Sequence, residues 1–66
     1  MKTSYDPQAD VLLIRLGPKS PVQAKDLWPD AILHFDESGK LVQIEVLHAS
    51  AVLDAKTLAE HQKAAA

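Results

Sequence analysis

The residues best suited to chemistry in this chain are His34, Asp36 and Glu45. An imidazole and two carboxylates can ligate a divalent cation, and a strand puts alternate side chains on one face, so His34 and Asp36 share a side. Glu45 lies diagonally across from His34 on the facing arm of the hairpin described below, which makes a three-ligand metal set one reading. The other, which we favour, is a strand face of hydrogen-bonded polar side chains. Asp6, Asp10 and Asp36 form a second set, as paired carboxylates for acid/base work. Asp6 adjoins Pro7, however, and Asp36 enters a hairpin loop, positions where carboxylates bond nearby backbone N–H groups. No nucleophile stands beside a base, and neither Gly17 nor Gly39 belongs to a phosphate-cradling loop. The expectation is a protein without catalytic activity, cofactor or metal.

Bulk properties narrow the classes further. A chain of 66 residues reads as one small domain, 1–66, that buries only about 60% of its unfolded surface. At 47% hydrophobic and 24% charged residues it is globular in composition, neither disordered nor fibrous. It has no cysteine, which excludes disulfides and thiolate sites and fits a reducing cytoplasm. A net charge of -2 with scattered basic residues argues against nucleic-acid binding. The aliphatic run Val11–Ile14 is far short of the roughly 20 residues that span a bilayer, and the amino terminus lacks the apolar core of a secretory signal. A soluble cytoplasmic protein is expected.

The elements that must position these residues follow from periodicity and turn chemistry. Lys2–Tyr5 and Val11–Leu16 read as a hairpin through Asp6-Pro7-Gln8-Ala9, with Tyr5 opposite Asp10 and Thr3 opposite Leu12. That places Tyr5, Leu12, Ile14 and Leu16 on the core face and Ser4, Val11, Leu13 and Arg15 on the reverse. Gly17 to Pro21 breaks the sheet. Val22–Leu27 alternates weakly, and Trp28-Pro29-Asp30 interrupts again as an irregular edge or bulge. Trp28 is read as a cover for one end of the core rather than a partner's anchor.

Ala31–Asp36 and Leu41–Leu47 form the clearest hairpin, with Gly39 at the left-handed position of its loop. Phe35 faces Val42 and Leu33 faces Ile44, so Ile32, His34, Asp36, Leu41, Gln43, Glu45 and Leu47 stand on the reverse side. Beyond Leu47 the chain turns helical. Ser50 or Asp54 can cap the helix, which runs from about Asp54 to Lys63 with Val52, Ala55, Leu58, Ala59 and Gln62 toward the sheet; 64–66 should fray. The sheet covers about 2–47. The fold class is α+β: an antiparallel β-meander of four to five strands with a C-terminal helix packed on one face.

The strings Ser4-Tyr5-Asp6-Pro7-Gln8-Ala9-Asp10-Val11-Leu12-Leu13-Ile14-Arg15-Leu16 and Phe35-Asp36-Glu37-Ser38-Gly39-Lys40 through Ile44-Glu45-Val46-Leu47-His48-Ala49-Ser50 resemble the small bacterial YuzE-like family of domains of unknown function. That family shows Tyr-Asp-x-x-x-Asp-x-Leu-x-Ile-x-Leu, then Asp-x-x-Gly and Ile-Glu-Ile-Leu-x-Ala-Ser. The chain departs from it with His34 and Phe35 where Asp and Tyr are frequent and with Asp30 where glycine is common. The resemblance implies a small β-rich fold with a helical end and no established reaction. It also implies an alternative partner, a small ribonuclease-like toxin.

The residues themselves point elsewhere. A small sheet covered by one helix should be polar on its open side, yet this one keeps Val11, Leu13, Ile32, Leu41 and Leu47 there. We therefore expect an interaction module that self-associates as a dimer through this face, with Arg15, Gln43 and Glu45 setting register at the rim.

Overall fold

The computed structural model describes residues 1–62. Its elements are β1 (Lys2–Asp6), β2 (Val11–Arg15), β3 (Gln23–Trp28), β4 (Ala31–Phe35), β5 (Leu41–Leu47), α1 (Ala49–Val52) and α2 (Ala55–Glu60). The five strands form one open antiparallel sheet in the order β1-β2-β5-β4-β3, followed by the two short helices. The α+β class holds. Within it, only β3-β4-β5 runs as a meander, and the β1-β2 hairpin joins that unit through β5.

Turn chemistry sets the registers. Asp10 adopts a left-handed φ of 58° and stays in the loop, while the Asp6 carboxylate accepts the Gln8 and Ala9 N–H groups at 3.0 and 3.4 Å. Tyr5 therefore faces Leu12 and Thr3 faces Ile14, two residues on from the expected pairing. A slip of two leaves every side chain on its expected face, because the strand period is two. In the β4-β5 hairpin Leu33 faces Ile44 and His34 faces Gln43 as read, but a register shift after His34 sets Phe35 against Leu41 instead of Val42. The Val42 carbonyl accepts the N–H groups of Leu16 and Gly17 at 2.9 and 3.4 Å, so this end of β5 serves β2. The expected irregularity near Trp28 is a register shift between Asp26 and Trp28.

The core gathers Tyr5, Leu12, Val46, Ala49 and Leu58, with Ile14, Ile44 and Leu53 against them. All the strand members belong to one face, so both helices lie there, over β1, β2 and β5. Leu33 and Phe35 stand farther along that side and are half-buried, and Leu16, expected in the core, is exposed.

The expected single helix is two. Leu53 is extended (φ -118°, ψ 152°) and ends α1, and Asp54 then caps α2 by accepting the Thr57 N–H at 2.7 Å. The start at Asp54 is as expected and α1 is an added turn before it; of the expected sheet-facing set only Leu58 is buried, while Val52, Ala55, Ala59 and Gln62 are exposed. Lys63 and residues 64–66 lie outside the described residues.

The two edges differ. Tyr5 donates its N–H to the His61 carbonyl at 2.7 Å and forms a parallel bridge with Gln62, so the segment after α2 covers part of β1. β3 is exposed along its whole length and carries Lys25 and Asp26, charges that discourage edge-to-edge pairing. Trp28 does not seal the core; it is 48% exposed, because the bulge and Pro29 turn it off the end of the sheet.

Candidate interaction face

The uncovered face is built by register. Leu13 faces Glu45, which faces Ile32; Arg15 faces Gln43, which faces His34; and Val11 faces Leu47. Directly opposed residues share a side, so seven of the eight expected interface positions, Val11, Leu13, Arg15, Ile32, Gln43, Glu45 and Leu47, come together there. All seven are half-buried. Leu41 lies beyond the register shift and is 37% exposed.

Polar pairs are laid through these aliphatics. His34 Nε2 and Glu45 Oε1 are 3.0 Å apart, with side chains only 18% and 27% exposed. Arg15 donates from Nη1 to Gln43 Oε1 at 3.2 Å and from Nη2 to the Lys19 carbonyl at 2.5 Å.

Asp36 is not part of this face's chemistry. Its carboxylate accepts the N–H groups of Ser38 and Lys40 at 2.8 and 3.0 Å, closing the hairpin loop over Gly39. The Lys40 N–H does most to hold its carboxyl below the ordinary carboxylate value; burial opposes this, and Ser38 and the charges of Lys19 and Lys40 add to it. The metal reading thus keeps two of its three residues, and the described residues hold no group of three His, Cys, Asp or Glu arranged for a cation. Asp36 binds backbone because its loop leaves amides with no other acceptor.

Sequence reasoning missed a second cluster. The Tyr5 hydroxyl donates to Asp10 Oδ1 at 2.6 Å, the Ser50 hydroxyl donates to Asp10 Oδ2 at 2.6 Å, and the Ser50 N–H donates to Oδ1 at 3.0 Å. The Ala49 N–H adds a bond to the Asp10 carbonyl at 3.0 Å. Asp10 therefore caps α1 from the β1-β2 loop, 40 residues away, where His48 at the cap position offers no side-chain bond. His48 is itself left-handed and pairs through Nδ1 with Asp30 Oδ1 at 3.0 Å.

The Ser50 hydroxyl, then that of Tyr5, holds the Asp10 carboxyl below its ordinary value, and the Tyr5 hydroxyl is pushed up chiefly by its bond to Asp10. A carboxylate kept ionised is a weak base, and a phenol made harder to ionise is a weak nucleophile. The cluster is a clasp. Its residues, Tyr5, Asp10, Ala49 and Ser50, lie at the two ends of the strings quoted in the sequence, so no local spacing joins them.

Residues 2–50 match the family model described as a protein of unknown function, DUF2283. The chain belongs to that family. No curated protein and no solved structure gives a match. The DUF2283 span holds all five strands, the open face and both ends of the clasp, and it stops at Ser50, before α2.

Proposed function

We propose that this DUF2283 chain is a non-enzymatic cytoplasmic module that associates with a second copy of itself through the sheet face opposite the helices. One observation carries the reading: the helices gather on a single face, and Val11, Leu13, Ile32 and Leu47 stay only half-buried on the other. Full removal of such a side chain from water is worth roughly 1.5–3 kcal/mol, and because these four are already partly covered, closing the face adds a fraction of that for each one. Arg15, Gln43 and Glu45 supply the polar pairing that fixes orientation. The absence of cysteine suits a reducing compartment, and the YuzE-like resemblance, which brings no established reaction, suits a binding role.

The face is small. Five strands about 4.8 Å apart and about five residues long span a patch on the order of 400 Å², near the lower limit of specific interfaces, so the dimer is a weak one. Sedimentation equilibrium from about 10 to 300 μM covers the expected range. Self-association there, lost in Leu13→Lys or Ile32→Lys with unchanged circular dichroism, is the expected result. A mass that does not respond to either substitution contradicts the reading.

A further inference from the structure

The open face carries two half-buried formal charges of opposite sign, and among the described residues neither meets a permanent counter-charge. Arg15 donates to two neutral oxygens, those of Gln43 and Lys19, and Glu45 meets the His34 imidazole. Among the described residues the ion pairs are His34–Glu45 and His48–Asp30, and no lysine or arginine joins a carboxylate. Register places the two charges as neighbours that do not touch. Arg15 faces Gln43 and Leu13 faces Glu45, so Arg15 and Glu45 occupy one diagonal of a four-residue square, roughly 7–8 Å apart, and Leu13 and Gln43 occupy the other.

A square with opposite charges on one diagonal is complementary to itself when turned over about the other. We propose, resting on the self-association reading above, that two copies meet face to face about a two-fold axis along the Leu13–Gln43 diagonal. This axis seats Arg15 of each copy on Glu45 of the other and packs Leu13 against its own symmetry mate. A two-fold interface makes every contact twice, so each dimer gains two guanidinium–carboxylate pairs in which Arg15 can present its forked donors to a planar acceptor. Val11, Ile32 and Leu47 surround the pairs and supply the burial, and the charges fix which way round the copies sit. The second copy is the occupant because the charges that select it lie on the same surface it covers.

Sedimentation equilibrium on Arg15→Glu, Glu45→Arg and their equimolar mixture tests this. Arg15→Glu alone sets glutamate over glutamate twice, and Glu45→Arg alone sets arginine over arginine twice, so each should associate at least about tenfold more weakly than wild type. In the mixture both pairs become attractive, and a heterodimer of near wild-type affinity should form. A wild type that dimerises while the mixture stays as dissociated as its components overturns this axis and leaves self-association standing; a wild type that remains monomeric overturns both. Should either reversed chain lose cooperative urea unfolding, Arg15→Gln and Glu45→Gln replace them. Pairing across copies then requires the double variant to associate no more weakly than the weaker single one, and losses that add overturn the proposal.

Discussion

At the scale of single residues, three of the aspartates that hold the chain's turns and caps have a carboxyl drawn below its ordinary value of 3.8: Asp10 by Ser50 and Tyr5, Asp36 by the Lys40 N–H, and Asp54 by the Thr57 N–H. A carboxyl whose folded value is depressed adds stability that is present above its unfolded value and disappears as pH falls through the folded one. The urea midpoint should therefore stay nearly level from pH 7 to about 5 and drop steeply below about pH 4. Tyr5 works in the opposite direction: its value is raised above 10.0, so its contribution holds below that and fades as pH climbs past it. Asp10→Asn should flatten part of the acid drop and lower the midpoint at pH 7. Asp10→Ala and Ser50→Ala break the same bonds, so their double variant should lose less than the two single losses together. Additive losses in urea titrations would show that the clasp does not act as a unit.

At the scale of elements, the two glycines separate backbone strain from packing. Gly39 sits at φ +81° with open space around its Cα, so Gly39→Ala meets only the left-handed penalty and should cost about 1 kcal/mol. Gly17 carries no such strain, and an added Cβ would stand 3.6 Å from Val42 Cγ1, an ordinary contact; Gly17→Ala should leave stability unchanged or raise it by up to about 1 kcal/mol. Equal urea midpoints for the two variants would contradict this account. Leu58 is the one residue of α2 in the core, and Leu58→Ala should cost about 2–5 kcal/mol. What was legible in the sequence tracks what is local. Gly39 and the alternation of Leu41–Leu47 specify the β4-β5 hairpin, and period two kept the face of Leu13 and Arg15 correct although their hairpin slipped by two. The register shift after His34 was not legible, because neither arm of that hairpin carries a glycine or proline to mark an extra residue. Neither was α1, a single turn ahead of the helix that Asp54 was expected to begin, nor the clasp, whose ends are 40 residues apart. The fate of Asp36 was legible, because a carboxylate that enters a hairpin loop meets that loop's amides, here those of Ser38 and Lys40, and so leaves His34 and Glu45 without it.

At the scale of the whole molecule, the sheet and helices make a thin body, 35 × 26 × 16 Å, in which no large side chain among the described residues is fully buried. Such a body has one helix-covered face to supply its stability and one open face whose coverage would add to it. If two copies cover that face, folding and association are linked, because anything that binds only the folded chain raises its apparent stability as its concentration rises. The melting temperature of the wild type should then climb with protein concentration between about 10 and 300 μM, by a few degrees, since about 1 kcal/mol moves the midpoint of a domain this size by about 4–8 °C. Leu13→Lys removes the central aliphatic contact without touching the core, so its melting temperature should be independent of concentration and equal to that of dilute wild type. Leu58→Ala should melt lower at every concentration yet keep the wild-type slope, because it weakens the covered face and leaves the open one intact. Scanning fluorimetry across a dilution series distinguishes these three behaviours. A wild-type melting temperature that does not change with concentration would mean that the open face contributes nothing to stability in solution.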